Sequence, residues 1–272
     1  SPSWPPWRRR SVSLREPESA AAALTFDDVS VVRGGNLLWS EGTFEVPAGG
    51  IVAIIGSNGS GKTSLLNVVL GLIPPASGHV RVLGKSPGEV NEFIGYVPQN
   101  YASSPGDAIR VCDAVMLGLN GTRWAFGRPT REERRRVAEV LDWVDAGALA
   151  GRRLSELSGG QRQRVAIAEA LAAHPKILIL DEPLASLDLR NQREIVQLLD
   201  RLNKKLGVTI LVVAHDLNPL LGVLSGAIYL LDGHAHFDAL DGVVEEDLLS
   251  HLYGTPIQVV RTPQGELYMR ST

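Results

Sequence analysis

The stretch that decides the fold is Gly56-Ser57-Asn58-Gly59-Ser60-Gly61-Lys62-Thr63. It follows a β-branched apolar run, Ile51–Ile55, and precedes residues with helical spacing, Thr63–Leu72. Such a loop between a strand and a helix is typical of phosphate binding, because its glycines let backbone N–H groups converge on phosphate oxygens and the helix start adds positive potential. We expect these residues to hold a nucleotide, with Lys62 between the β- and γ-phosphates and the Thr63 hydroxyl on Mg²⁺.

A second apolar run supplies the carboxylates that such a loop requires. Ile177-Leu178-Ile179-Leu180 predicts a buried strand, and Asp181-Glu182 follows it directly. Ligands of α/β proteins bind at the carboxyl ends of strands, which places Asp181 where it can help to hold Mg²⁺. Glu182 is then the candidate for polarising an attacking water.

A second anion-binding helix start is predicted at Leu157-Ser158-Gly159-Gly160-Gln161, upstream of Asp181. Ser158 can cap the helix, and the two glycines expose backbone N–H groups. One chain cannot easily fold this helix start and the phosphate loop onto the same γ-phosphate. We therefore hypothesise a head-to-tail dimer, in which each nucleotide lies between one chain's phosphate loop and the other chain's Leu157–Gln161.

Composition bounds the class of protein. Of the 272 residues, 44% are hydrophobic and 21% are charged, which is ordinary for a globular protein with a core. The net charge of −3 argues against nucleic-acid binding through a basic field. The longest apolar stretches, such as Val208–Ala214, are far shorter than the about 20 residues of a membrane-spanning helix. We therefore expect no nucleic-acid partner, and a membrane role only through other chains.

The order of elements favours an α/β fold with a mostly parallel sheet, because short buried strands alternate with helices. Helices predicted at Ala108–Leu119 and Arg131–Leu149 form an insertion in this pattern, and a hairpin is predicted around Asp232-Gly233. Residues 1–22 are rich in Pro, Ser, Arg and Ala and are interpreted as a flexible leader. The acidic residues 238–272 are interpreted as a C-terminal extension.

Over about residues 24–235, these features resemble the ATP-binding cassette (ABC) ATPases. Gly56–Thr63 is similar to the Walker A motif, Leu157–Gln161 to the signature motif, and Ile177–Glu182 to Walker B with its catalytic glutamate. The resemblance implies a P-loop NTPase (RecA-like) core with an N-terminal antiparallel β-subdomain and an inserted α-helical subdomain at about 101–165, within an ATPase domain at 23–237. It also implies ATP and Mg²⁺ as ligands and ATP hydrolysis as the reaction.

Three further site residues are implied by the resemblance alone. Gln99, in Val97-Pro98-Gln99-Asn100, resembles the Q-loop residue that senses the γ-phosphate site, and it would help to organise Mg²⁺. Asp188, in Ser186-Leu187-Asp188, resembles the D-loop aspartate, and His215 resembles the switch histidine that contacts the γ-phosphate. The implied catalytic set is Glu182, His215, Lys62 and Gln99.

The base-binding position departs from the family pattern. Family members often stack adenine on an aromatic side chain near the first strands, and the matching place, Val32-Arg33-Gly34, contains none. A guanidinium can also stack on a base, so Arg33 is the candidate adenine contact. Weak selectivity between ATP and GTP would follow.

The resemblance also implies partners. A single cassette on its own polypeptide resembles a bacterial importer. That implies integral membrane permease subunits, a second, identical ATPase subunit, an extracytoplasmic substrate-binding protein, and a peripheral position on the cytoplasmic face of the cell membrane. Gln99 and the helical insertion would form the docking groove for a permease helix. Tyr101, Trp124 and Phe126 are candidates for its walls, although each is equally compatible with the core.

Most other ABC classes fit this sequence less well. Lys62 and Asp181 lie too close together in sequence for the long coiled coil of DNA-repair members. One phosphate loop and one signature argue against the two-cassette translation factors. A regulatory module without activity is disfavoured by Glu182 and His215. A soluble assembly ATPase, such as an iron–sulfur scaffold subunit, stays open.

The cargo is interpreted from four short runs that resemble ATPases of zinc and manganese importers: Ile94–Gln99, Asp113–Gly118, Ala214–Asn218 and Leu252–Pro256. We therefore expect a divalent metal of the zinc, manganese or iron class. Importers of iron-siderophore, haem and cobalamin share much of this and form the alternative. His234, His236 and His251 could bind a metal, but spacing alone does not converge ligands, which favours exposed polar residues.

Overall fold

The computed structural model describes residues 22–99, 101, 108–120, 129–262 and 267–271. The leader predicted at 1–22 lies outside this part except for Ala22, and Asn100, Trp124 and Phe126 lie outside it as well. The strands are β1 Ala22–Arg33, β2 Asn36–Pro47, β3 Ile51–Gly56, β4 Ser77–Val82, β5 Ile94–Val97, β6 Ile177–Asp181, β7 Thr209–Val213, β8 Gly226–Leu231, β9 His234–Ala239, β10 Ile257–Arg261 and β11 Leu267–Ser271. The helices are α1 Lys62–Val69, α2 Val111–Asn120, α3 Arg131–Trp143, α4 Gly159–Leu171, α5 Leu189–Leu206, α6 Leu240–Val243 and α7 Glu246–Tyr253.

Nine of the strands in the described ranges form one sheet, in the order β4-β1-β2-β9-β8-β3-β7-β6-β5. Strands β8, β3, β7, β6 and β5 run parallel, whereas β1 pairs antiparallel with β2 and β4 at the other edge. β9 returns antiparallel to β8 and meets β2 in one parallel pair, Ser40 with His234. The predicted α/β core with an antiparallel β part is confirmed.

The parallel strands that carry the site are buried between two apolar layers. Every residue of β6 and β7 is buried, as is β3 up to Ile55. One layer contains α1 and the antiparallel strands, with Phe26 and Trp39 completely inside it. The other layer contains α2 to α5. Because the interior is close-packed, the carboxyl ends of β3, β6 and β7 are held in fixed positions at one edge of the sheet.

The helical insertion differs from the prediction in one respect. α3 ends before Asp145 instead of continuing to Leu149, because Asp145 has a φ of 56°, which an α-helix does not contain. The Asp145 carboxylate accepts hydrogen bonds from Arg164 at 3.0 Å and from Arg201 at 2.6 Å. These arginines lie on α4 and α5, so tertiary ion pairs stabilise the break.

The C-terminal extension has its own secondary structure. Helix α7 is followed by the antiparallel hairpin β10–β11, in which Val259 pairs with Met269. Met269 is buried in the same core as α2 to α5, with Tyr253 and Leu267 packed against it. Among the helices of the described ranges, none has the length and apolar character that crossing a membrane requires.

Candidate active site

The phosphate loop leaves β3 at Gly56 and enters α1 at Lys62. Two of its glycines are required by crowding as well as by conformation. Gly56 has a φ of 155°, and a Cβ there would lie 2.6 Å from the Ser60 Oγ. Gly61 has a φ of 103°, and a Cβ there would lie 3.0 Å from the Trp39 ring. The loop therefore needs glycine where backbone N–H groups must approach an anion closely.

Lys62 curls back onto this loop. Its Nζ donates hydrogen bonds to the carbonyl oxygens of Gly56 at 2.7 Å and Ser57 at 3.0 Å. Burial lowers the pKa of Lys62, while the charges of Glu182 and Asp181 act in the opposite direction. A partly desolvated ammonium beside a nest of N–H groups suits a phosphate better than a neutral ligand. Thr63 follows in the first turn of α1 and is exposed, although its neighbours Lys62 and Ser64 are buried.

The carboxylates stand where β6 ends. Asp181 is buried, with 9% of its surface exposed, and burial together with the charge of Glu182 raises its pKa. The Tyr96 hydroxyl donates to Asp181 Oδ2 at 3.4 Å. Two adjacent carboxylates in a desolvated place are stabilised by a divalent cation, and hard oxygen ligands suit Mg²⁺. The residues therefore fit Mg²⁺, with Thr63 and Asp181 as the groups that would hold it.

Glu182 is held on both sides by side chains from other segments. Gln99 Nε2 donates to Glu182 Oε2 at 2.6 Å, and His215 Nε2 lies 2.7 Å from Glu182 Oε1. Because a carboxylate only accepts, a hydrogen on the histidine Nε2 makes the second bond. Glu182 also has a φ of 52°, a left-handed conformation that non-glycine residues rarely adopt and that is found at functional sites.

The signature residues form a second group at the start of α4, next to the start of α5. Ser158 Oγ accepts from the Gln161 N–H at 3.3 Å, while the Gln161 side chain accepts from the Ser158 N–H at 3.0 Å, a reciprocal helix cap. A Cβ on Gly160 would lie 2.4 Å from Asn191 Oδ1. Asp188 accepts from the Asn191 N–H at 2.8 Å and from its side chain at 2.9 Å, which holds the pKa of Asp188 below its usual range.

Two buried donors beside the phosphate loop have no hydrogen-bond partner among the described residues. They are Trp39 Nε1 and the Ser60 hydroxyl. Both line a cavity of about 270 Å³, together with Ser57, His234 and His251. Unpaired buried donors disfavour an empty apolar cavity and favour an acceptor-rich occupant, such as water or part of a nucleotide.

The remaining sequence candidates are more exposed. Arg33 lies at the end of β1, opposite Asn36, with its side chain exposed, and its adenine contact stays a prediction. His251 Nε2 lies 3.2 Å from the Asp232 carboxylate, and His234 lies 3.5 Å from that of Glu41. Within the described ranges, no three His, Cys, Asp or Glu residues converge on a possible metal position.

A groove of about 1100 Å³ separates β5 from the helical insertion; we call it the β5–α4 groove. Its walls include Tyr96 and Leu117, whose exposed fractions of 39% and 57% are large for apolar side chains. At its base the Tyr101 hydroxyl donates to Glu169 Oε2 at 2.5 Å, and burial raises the pKa of Glu169. Tyr101 lines this groove and also packs against the core of α2 to α5, so both alternatives left open by the sequence still apply to it.

Sequence reasoning missed three contributors to this region. They are Trp39 under the phosphate loop, Tyr96 on Asp181 and Glu169 beneath Tyr101. Each acts across a large sequence separation. A local pattern carries no signal for such contacts.

The loop, the carboxylates and the doubly held Glu182 define a P-loop protein built to bind and hydrolyse nucleoside triphosphates. Residues 40–185 match the ABC transporter family. The chain is 35% identical to the zinc transport system ATP-binding protein TroB of Treponema pallidum over 253 residues, 93% of this chain and 94% of that protein. The chain belongs to the ABC transporter family, as the motifs indicate, and it is an ATPase.

Two further similarities bear on its function. The phosphonates import ATP-binding protein PhnC of Stutzerimonas stutzeri is 35% identical over 229 residues, 78% of this chain and 82% of that protein. A dimeric ATP-binding cassette solved in a post-hydrolysis state with ADP and Pi has a TM-score of 0.66 and 30% identity, covering 80% of this chain and 98% of that one. A close likeness to a nucleotide-bound cassette agrees with the phosphate loop described above.

Proposed function

We propose that this ATPase is a peripheral subunit on the cytoplasmic face of a cell membrane, where it powers uptake of a divalent metal ion of the zinc, manganese or iron class through a separate permease. The β5–α4 groove carries the transport part of the proposal. Its apolar walls suit a partner helix, and it lies beside Gln99, which is bonded to Glu182. Docking there would act directly on the hydrolytic residues.

In this proposal each site residue has one task. Lys62 and the N–H groups of Gly56–Gly61 neutralise the phosphates, Glu182 orients and polarises the attacking water, and His215 holds the γ-phosphate. Thr63, Asp181 and Gln99 would hold Mg²⁺, which supplies charge neutralisation when it is bound. Catalysis is then mostly positioning and charge stabilisation.

The proposed assembly is a head-to-tail homodimer. Ser158 and Gln161 bond each other, and Asp188 bonds Asn191, which lies against Gly160. These bonds do not include the Glu182 cluster. A second chain would bring Ser158, Gly159, Gly160 and Gln161 to the opposite phosphate loop. The similar solved cassette is dimeric, which supports a dimer for this chain.

Support for a metal cargo comes from two of the relatives. The zinc-system relative of Treponema pallidum is 35% identical over 93% of this chain, and the manganese transport system ATP-binding protein MntB of Bacillus subtilis is 37% identical over 70% of it. A metal importer would also include an extracytoplasmic binding protein. An iron-siderophore, haem or cobalamin importer is the alternative, and the transport assay below separates them.

The test is reconstitution of the full chain in lipid vesicles with a permease that co-purifies with it, and with the proposed extracytoplasmic binding protein added outside. ATP inside the vesicles should drive uptake of Zn²⁺ or Mn²⁺ from the outside, measured with a radioactive tracer. Vesicles that contain Glu182→Gln are the matched control and should show no uptake. ATP-driven uptake of a chelated metal or of phosphonate, without free metal ion, would contradict the metal proposal. A chain that hydrolyses ATP but never associates with a permease would contradict the transport role itself.

A further inference from the structure

The segment that carries His215 is anchored at both ends. Before it, the Ala214 N–H donates to the Ile54 carbonyl at 3.2 Å, which attaches the segment to β3. After it, Leu217 is completely buried, and its N–H donates to the Tyr253 hydroxyl oxygen on α7 at 3.3 Å. His215 therefore stands on a short bridge between the sheet and the C-terminal extension.

Asn218 makes two hydrogen bonds at the second anchor. Its Nδ2 donates to the Met269 carbonyl at 3.1 Å, and its Oδ1 accepts from the Met269 N–H at 2.7 Å. A side-chain amide that bonds both polar groups of one peptide residue has a defined orientation as well as a defined distance. The contact joins positions 51 residues apart in sequence.

The hairpin that receives Asn218 is itself firmly supported. A two-stranded hairpin alone is marginal in water, so it must be stabilised by packing. Met269 is buried with 7% of its surface exposed, the Ile257 N–H donates to Ser250 Oγ at 2.8 Å, and the Val259 N–H donates to Glu246 Oε1 at 2.9 Å. The last two bonds attach β10 to α7. The hairpin that binds Asn218 is therefore itself held in place by α7.

We propose that Asn218 is a positioning residue for ATP hydrolysis: its two bonds to Met269 fix the segment so that His215 Nε2 stays against Glu182 Oε1. Asn218 itself bonds the hairpin and not the reacting groups. The C-terminal hairpin thereby becomes part of the hydrolytic apparatus. This role concerns hydrolysis alone and holds for any cargo or permease.

The test uses Asn218→Ala in the full chain, with kcat and KM for ATP measured on the purified protein. We expect kcat to fall about tenfold with KM within about twofold of the parent, because displacement of a reacting group by about 1 Å is already costly. The same substitution in a His215→Ala background should then cost less than about twofold, since residues that act through one contact are not additive. An equal loss in both backgrounds, or a parental kcat for Asn218→Ala, would overturn the proposal.

The matched control is Thr255→Val, which removes the contact at 3.3 Å between Thr255, just before β10, and Ser271 on β11, and leaves Asn218 in place. It should turn over ATP like the parent; a tenfold loss here would mean that any loosening of the hairpin has this effect, which contradicts a specific role. If Asn218→Ala shows no cooperative thermal transition, it is not properly folded. The isosteric variant Asn218→Asp is then used in its place. That variant keeps the acceptor and loses the donor, so kcat should fall about threefold, and an unchanged kcat would overturn the proposal.

Discussion

Glu182 is held from two sides that are built differently. On one side, Gln99 follows β5, and Tyr101 just beyond it donates to Glu169 on α4 at 2.5 Å. On the other side, His215 follows β7, on a segment attached to β3 and to the C-terminal extension. The Gln99 side is therefore connected to the helical insertion, and the His215 side is connected to the packed sheet.

The Gln99 side of Glu182 can therefore transmit the effect of a docked partner, whereas the His215 side holds Glu182 in a fixed position. The Gln99 side borders the β5–α4 groove, so a partner helix seated there would reach Glu182 through Gln99. The His215 side is fixed to the close-packed interior, which resists displacement. Four predictions test this distinction, in order of decreasing effect.

Glu182→Gln should have the largest effect, because it removes the group that both sides hold. We expect kcat to fall at least about 100-fold, the usual contribution of general-base catalysis, while ATP binding is retained. Turnover, equilibrium ATP binding and ATP-dependent dimerisation on size-exclusion chromatography are the measurements. Glu89→Gln, at an exposed position, is the control and should behave like the parent. Parental turnover in Glu182→Gln would remove Glu182 from the mechanism.

Gln99→Ala and His215→Ala should lower basal kcat to a similar extent, about tenfold to 100-fold, because each donor holds one oxygen of the same carboxylate. They should differ in the response to the permease. Stimulation of turnover in reconstituted vesicles should persist in His215→Ala and disappear in Gln99→Ala. Loss of stimulation in both variants alike would break the distinction between the two sides.

Tyr101→Phe should have a smaller effect, since it removes one hydrogen bond and keeps the ring. We expect the free energy of unfolding to fall by about 1 kcal/mol, measured by urea denaturation, and the permease-stimulated rate to fall more than the basal rate. Glu169→Gln retains an acceptor for the Tyr101 hydroxyl and should stay close to the parent. Equal loss of basal and stimulated rates in Tyr101→Phe would count against transmission through this contact.

Arg33→Ala should have the smallest effect, because Arg33 belongs to neither side of Glu182. If Arg33 stacks on the base, the parent should prefer ATP over GTP by less than about tenfold, and the variant should change KM for ATP by about twofold without changing kcat. Steady-state turnover with both nucleotides is the measurement. A change in kcat would contradict a role in base binding alone and would indicate that Arg33 acts on the reacting groups.

The parts of the site that were predictable from sequence are those with local causes. The glycines of Gly56–Gly61, the apolar run before Asp181 and the cap at Ser158 each depend on neighbours a few residues away, so their elements are confirmed. The alternation of buried strands with helices likewise indicated the α/β core. Only the family resemblance predicted that Gln99, Glu182 and His215 belong to one site. Their spacing in the sequence does not show that they lie close together.

The parts that were not predictable depend on distant residues. The premature end of α3 at Asp145 is stabilised by arginines on two other helices. Strands β10 and β11 are short and only partly buried, so their pattern is weak, and packing against α7 stabilises them. The Asn218–Met269 contact leaves no trace in the composition of either segment. Tertiary context overrides local preference at each of these places.

The contact between Asn218 and Met269 also bears on the interpretation of genetic variants. An assessment of sequence variants that considers only the motifs from Gly56 to His215 would classify Met269→Pro as fully active in ATP hydrolysis. Proline has no backbone N–H, so that substitution removes the donor that Asn218 Oδ1 accepts at 2.7 Å. If Asn218 positions His215 as proposed, a missense change at Met269 would lower ATP hydrolysis in the same way as a change at His215.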